Sequence, residues 1–145
     1  METIITALIT GGSGGIGSAI VKRFAEAGYA VAFTYHTAKD AAESLARSID
    51  NVPVLILQAN LTREEEVLSL AERFYANFSH IDVLVNCAGV ASEGLFQDVT
   101  DAEYARVTDA NLKSTFLVTR AFLPGMIAEQ KMHVYSKILY LCKMY

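Results

Sequence analysis

Short apolar runs alternate along this chain with stretches of helical period, the arrangement expected of a parallel sheet built from βαβ units. Ile4 to Ile9 reads as a first strand leading into a glycine-rich turn. Beyond the turn Ile16, Ile20 and Phe24 recur every four residues and predict a helix that Gly28 ends. Ala30 to Tyr35 predicts a second strand, Asp40 to Ile49 a helix with Ala41, Leu45 and Ile49 on one face, and Pro53 the opening of a third strand. "TREEEVLSLAERFYANF" carries a capping box, Thr62 as N-cap and Glu65 three residues on, ahead of a stripe of Val67, Leu70, Phe74 and Phe78. "IDVLVNCAG" predicts strand four. Thr100 and Glu103 form a second capping box before a helical region reaching Gln130, which Pro124-Gly125 is expected to kink or break. "SKILYLC" reads as a fifth strand.

Composition narrows the class. With 145 residues and 52% hydrophobic content, residues 1–145 fit one globular domain. The mean hydropathy of +0.29 fits strands covered on both faces, because no run approaches the roughly 18 apolar residues that span a bilayer. No membrane partner is therefore expected. "METIITALITGG" has an acidic residue at position 2 and no basic n-region, so it reads as a strand and not as a signal peptide. A net charge of -4 and a pI near 5.3 leave no basic stripe for nucleic acid. Cys87 and Cys142 are too few for a secreted disulfide framework and lack metal-ligand spacing. They point to a reducing, cytoplasmic setting, with both thiols buried and no metal bound. Glu64, Glu65 and Glu66 sit at the positive end of a helix dipole and read as a solvated, helix-stabilising face.

The chemistry lies in "TGGSGGIG", Thr10 to Gly17, which follows a strand and opens a helix. Glycines let backbone approach a pyrophosphate closely, and free N–H groups at a helix N-terminus meet its charge. A merely tight turn needs one or two glycines, whereas this loop has five in seven positions. Gly12, Gly14 and Gly17 fit G-x-G-x-x-G; Gly11, Gly14 and Gly17 fit G-x-x-G-x-x-G; Gly11, Gly15 and Gly17 fit T-G-x-x-x-G-x-G. The loop alone leaves all three open.

Two later features select the third. Asn86-Cys87-Ala88-Gly89 stands at the carboxyl end of strand four, and Asn111 follows in "DANLKSTF". With "TGGSGGIG", this ordered set resembles the short-chain dehydrogenase/reductase family over residues 3 to 130. The text is most similar to its 3-oxoacyl-acyl-carrier-protein reductase group. The resemblance implies an α/β fold, a doubly wound, Rossmann-like parallel sheet of about five strands here, in order 3-2-1-4-5. It implies a nicotinamide dinucleotide crossing between strands one and four, with Thr10 and the backbone of Gly11, Gly12, Ser13, Gly14, Gly15, Ile16 and Gly17 around its phosphates. Asn60 and Leu61 would lie along the adenine, and Asn86, Ala88 and Gly89 beside the ribose and nicotinamide. Asn60 stands where the family usually has Asp, and Cys87 replaces the second Asn of N-N-A-G. After strand two, "FTYHT" has no acid to accept from a free ribose 2′-hydroxyl. His36 can face a phosphate and Lys39 lies near, so NADP(H) is favoured over NAD(H).

The resemblance also implies reduction of a small carbonyl or acyl thioester. The proton would come from a Tyr with a Lys four residues later, aided by a Ser that polarises the carbonyl and an Asn that holds a relaying water. Asn111 matches the Asn. In the tail Tyr135 is followed at that spacing by Leu139, and Tyr140 by Met144; Cys142 and Lys143 stand where the Ser is expected. The family's Tyr-Lys helix and last two strands would follow residue 145. The chain thus reads as a C-terminally truncated, catalytically impaired reductase, with an apolar edge "ILYL" that predicts poor solubility or pairing, including as a homo-oligomer. A non-catalytic nucleotide-binding or dimerising module is the alternative. A sugar-nucleotide epimerase of the extended branch is disfavoured by Asn-Cys-Ala-Gly.

Overall fold

A computed structural model describes residues 4–130 and 133–136. Five strands, β1 (Thr6–Ile9), β2 (Ala30–Tyr35), β3 (Val54–Gln58), β4 (Val83–Asn86) and β5 (His133–Ser136), form one sheet in the order β3-β2-β1-β4-β5. Every pairing is parallel. The helices are α1 (Gly15–Glu26), α2 (Lys39–Arg47), α3 (Glu64–Tyr75), α4 (Asp101–Thr108) and α5 (Ser114–Ala128). This is the doubly wound sheet and the strand order that the sequence implies.

Strand period two divides the core between the sheet's faces. Ala7, Ile9, Val31, Phe33, Val83 and Val85 cluster with Val21 and Ala25 of α1 and Ala42 and Leu45 of α2. Leu8, Ala32 and Leu84 cluster with Val67, Leu70 and Phe74 of α3 and Leu117, Val118 and Phe122 of α5. Side chains such as Phe33, Phe74 and Phe122 are wholly buried, each contributing about 1.5–3 kcal/mol. Burial on both faces accounts for the hydropathy. No helix among the described residues is long and apolar enough to cross a membrane.

Several local expectations are corrected. The face of α1 turned to the sheet centres on buried Gly17, Val21 and Ala25, with Ile20 and Phe24 partly buried against the same core and only Ile16 of the predicted stripe exposed. Ile16 is 54% exposed, because Gly17 carries no side chain and brings that face of the helix onto the loop. In α2 the buried positions are Ala42 and Leu45, while Ala41 is exposed. Thr62 does not cap α3: its hydroxyl donates to Asn60 Oδ1 at 2.8 Å, and Arg63 occupies the N-cap without a side-chain capping bond to the helix backbone. Thr100 does cap α4, accepting from the Glu103 N–H at 3.2 Å.

Pro124 lies inside α5 without ending it. Burial of Leu117, Val118, Phe122 and Met126 outweighs the lost hydrogen bond. Gly125 allows the tight packing on α3, since a Cβ there would fall 2.3 Å from the Tyr75 hydroxyl. The irregularity comes earlier, as a π-turn at Asp109–Lys113 between α4 and α5. Strand five begins at His133, three residues before the apolar run that the sequence favours, because pairing of His133–Ser136 with Val83–Asn86 sets its place. The rest of that predicted strand, with "ILYL" and Cys142, lies outside the described residues.

β1 stands between β2 and β4, whose connections leave in opposite directions. At such a switch point the carboxyl ends of the strands open a crevice.

Candidate functional site

Three strand ends hold the glycine loop. Thr10 is buried, and its Oγ1 accepts from the N–H groups of Cys87 and Ala88, each at 3.0 Å. Thr34, at the end of β2, accepts from Gly11 N–H at its Oγ1 (3.0 Å) and from Gly12 N–H at its carbonyl (2.9 Å). Neither hydroxyl role was legible from spacing, since each joins residues far apart in sequence.

Gly11 has φ +66°, and a Cβ there would lie 2.8 Å from Ala88 Cα. At Gly17 a Cβ would fall 2.1 Å from the Gly11 carbonyl oxygen. Backbone therefore touches backbone where α1 meets the loop. Gly15, by contrast, has open space around it. Gly14 is the N-cap of α1 with no side-chain partner, so the first N–H groups of the helix remain available.

These elements enclose a crevice of about 550 Å³, within the range of small-ligand sites. Of the predicted residues, Gly11, Ser13, Gly14, Gly15, Ile16, Gly17, His36, Asn60, Leu61, Ala88 and Gly89 line it. Thr34, Tyr35, Thr37, Ala38, Ala59, Thr62, Cys87, Val90, Ala110 and Ser114 complete the wall. Among the described residues, no histidine, lysine, arginine, aspartate or glutamate other than His36 lines it.

Thr10, Gly12 and Asn86 stand behind the wall. A Cβ on Gly12 would strike the Phe33 side chain at 2.5 Å, so this glycine seats the loop on β2. Asn86 is buried and its Nδ2 donates to Thr119 Oγ1 (3.0 Å) and Ser136 Oγ (3.4 Å), joining β4 to α5 and β5. Asn60 Oδ1 accepts from both the N–H and the hydroxyl of Thr62, while its own N–H donates to Glu66 Oε2 at 2.7 Å. Its carboxamide oxygen thus shapes the β3–α3 turn. Cys87 is the small buried residue expected.

Asn111 does not line the crevice. It sits in the π-turn with its amide on Val90, Oδ1 accepting from the N–H at 2.7 Å and Nδ2 donating to the carbonyl at 2.8 Å. Nearby, Arg106 donates to the Glu103 carboxylate (2.7 and 2.8 Å) and to the Ala91 carbonyl (3.2 Å), tying the β4–α4 loop to α4. Hydrogen bonds from Arg106, then Ser92, lower the Glu103 carboxyl to about 2.

One Tyr with a Lys four residues on does occur outside the tail: Tyr35 and Lys39. Tyr35 ends a strand and Lys39 begins a helix, where it faces Glu43 at 3.6 Å, so the spacing does not put them on one helical turn. Tyr135 is exposed on β5 and pairs with Val85, and it lines a separate cavity with Phe24 and Tyr29 on the α1 side of the sheet. Lys137, Tyr140 and Lys143 lie outside the described residues. Among the described residues no group of three His, Cys, Asp or Glu side chains is placed to hold a metal ion.

Comparison with known proteins agrees with this geometry. The model of the short chain dehydrogenase family matches residues 5–134. A Staphylococcus epidermidis protein named 3-oxoacyl-[acyl-carrier-protein] reductase FabG is 35% identical over 127 residues, 86% of this chain and 52% of that protein. The solved structure of a metagenomic blue fluorescent protein in complex with NADPH matches with a TM-score of 0.77 and 33% identity, covering 83% of this chain and 50% of that one. A short-chain dehydrogenase from Streptomyces avermitilis matches with a TM-score of 0.84 and 28% identity, over 92% of this chain and 48% of its own. The chain spans about half the length of the curated relatives it matches.

Proposed function

Because this chain belongs to the short chain dehydrogenase family, we propose that its crevice binds a nicotinamide dinucleotide, NADP(H) in preference to NAD(H), for oxidoreductase chemistry on a carbonyl or 3-oxoacyl thioester. The observation that carries the reading is the uncapped start of α1, pressed onto the loop at Gly11 and Gly17 and open to the crevice between β1 and β4. That arrangement fits a pyrophosphate, which needs backbone donors and close approach more than side chains. Gly11, Ser13, Gly14, Gly15, Ile16 and Gly17 would hold the phosphates, Asn60 and Leu61 the adenine end, and Ala88 and Gly89 the far ribose. Thr10, Gly12 and Asn86 act behind them as supports. When bound, the nicotinamide supplies or accepts the hydride.

The proton is a separate matter. A general acid is judged first by geometry, and among the described residues no tyrosine paired with lysine lines the crevice on one helical turn. We therefore assign to the 145-residue chain cofactor binding without appreciable thioester reduction, with Asn111 as a positioning residue of the β4–α4 loop. Exposed Tyr104, Leu112 and Phe116, on α4, the π-turn and α5, are the surface on which a homo-oligomer would form.

Isothermal titration with NADPH, alongside NADPH oxidation with an acetoacetyl thioester, tests both parts. Binding without turnover is expected. No heat at high NADPH concentration removes the dinucleotide reading, and turnover by a chain of verified mass removes the impairment. The same lack, among the described residues, of a lysine-paired tyrosine in the crevice favours the second reading, a nucleotide-binding module that does no chemistry; a partner polypeptide that restores turnover would exclude it.

A further inference from the structure

Asn60 closes a turn with its own side-chain oxygen. Its Oδ1 accepts from the Thr62 N–H at 3.1 Å and from the Thr62 hydroxyl at 2.8 Å, which fills both lone pairs of a carboxamide oxygen. A backbone N–H can only donate, so the atom it meets is the oxygen and the amide has a single orientation. The main-chain N–H of Asn60 is spent as well, on Glu66 Oε2 at 2.7 Å. Among the described residues the two N–H bonds of Nδ2 are what this side chain has left, and Asn60 lines the crevice. The group it offers to a ligand is therefore a donor.

No charged acceptor stands beside it. Glu66 accepts from Asn60 and lies 3.5 Å from Arg63 Nε, Glu65 accepts from Arg63, and Glu64 is held by Arg120. Among the described residues no aspartate or glutamate lines the crevice. Thr62 does line it, and with its proton given to Asn60 its oxygen keeps lone pairs there.

This polarity bears on the base. Adenine shows one donor, the amino group at purine position 6, beside its ring acceptors, whereas hypoxanthine has an oxygen at that position, as guanine does. A carboxylate at position 60 would keep one oxygen for Thr62 and have the second to accept from the amino group, matching adenine and repelling the oxo form. The carboxamide has only N–H bonds to give in that place. We propose that Asn60 leaves the 6-amino group unread, so that this chain takes a 6-oxopurine dinucleotide, nicotinamide hypoxanthine dinucleotide phosphate, as readily as the adenine form. The inference rests on the dinucleotide reading above, with the base at the Asn60 and Leu61 end of the crevice.

Dissociation constants for NADPH and for the reduced hypoxanthine dinucleotide phosphate, measured by calorimetry on the whole chain and on Asn60→Asp, provide the test. The ratio of the hypoxanthine to the adenine constant is expected within about threefold of one in the unmodified chain, and at about tenfold in Asn60→Asp, the worth of one hydrogen bond to a charged acceptor. The added carboxylate also repels the phosphates that both ligands share, so the ratio carries the information and neither constant alone does. Aspartate keeps the oxygen that Thr62 needs, and a urea midpoint near the parent value verifies the fold; the ratio in the unmodified chain decides without the variant. A preference for NADPH of about tenfold already present in the unmodified chain overturns the proposal, because another acceptor, such as Thr62 Oγ1, then reads the amino group. An unchanged ratio in a folded Asn60→Asp overturns it too, since position 60 then does not face the base. In both cases dinucleotide binding stands. Failure of both ligands to bind removes the dinucleotide reading and this proposal together.

Discussion

Asn111 grips Val90 by both ends of its carboxamide, accepting from the Val90 N–H at 2.7 Å and donating to the Val90 carbonyl at 2.8 Å. A side chain thus does for Val90, in the loop that follows β4, what a neighbouring strand does for β4 itself. The π-turn at Asp109–Lys113 holds this amide against the loop, and Val90 lines the crevice. Asn111→Ala leaves a part-buried donor and acceptor without partners and should cost about 1–3 kcal/mol in urea unfolding. Asn111→Asp keeps the acceptor but sets a carboxylate against a carbonyl, so it should not restore stability. Recovery to the parent midpoint by Asp would show that the pairing carries little.

Thr10 does the matching work on the other side of the crevice. Thr10→Val keeps the shape and removes the one acceptor shared by the Cys87 and Ala88 amides. A loss of about 1–3 kcal/mol is expected, with faster hydrogen exchange at those two amides, and Thr10→Ser should recover most of it. Unchanged exchange in the Val variant would contradict this account of the loop.

Glu103 gives a prediction in acid. Its carboxyl is held at about 2 by hydrogen bonds from Arg106 and Ser92 and by the nearby Arg106 charge, against an ordinary value of about 4.3. A folded-state value below the unfolded one means stabilisation that is complete above the unfolded value and is lost as pH falls toward about 2. Between those limits the urea midpoint of the parent chain should fall more steeply than that of Glu103→Gln. A carboxyl-detected NMR titration should place Glu103 near the low end; a midpoint at the ordinary carboxylate value would sink the prediction.

What could be read from the chain was whatever depends on neighbours in sequence. The Val67, Leu70 and Phe74 stripe, the Gly28 stop and the alternating runs gave the succession of strands and helices, because burial on a helix face or a sheet face repeats with a fixed period, while the strand order followed from the family resemblance. Contacts between distant residues were not legible. Thr34 and Gly11 meet only because β1 and β2 pair, and Asn60 displaces Thr62 as organiser of the α3 start because the β3–α3 turn folds back on itself. Apolarity alone started strand five at Ser136, whereas its pairing with β4 already includes His133. Ile16 has the period of a core residue and faces the crevice instead, since α1 is docked through a glycine.

That docking supplies the last prediction. Gly15 and Gly17 both line the crevice and both lie in the first turn of α1, yet only one of them is sterically required. A methyl at Gly17 would overlap the Gly11 carbonyl oxygen, at 2.1 Å, and neither backbone segment can yield while Thr10 and Thr34 hold the loop. Gly17→Ala should therefore push α1 off the loop, destabilise the chain by more than the about 1 kcal/mol that glycine itself costs a helix, and abolish dinucleotide binding. Gly15→Ala meets no atom within 4 Å in the protein and replaces a poor helix former by the best one. It should leave the unfolding midpoint equal or higher, and any loss of NADPH affinity in it reports a methyl against the ligand and not against the protein. Calorimetric titration and urea unfolding of the two variants side by side separate the cases. Equal behaviour of the two in both measurements would mean that the loop yields at Gly17, and that the approach of α1 to Gly11 is not what shapes the phosphate end of the crevice.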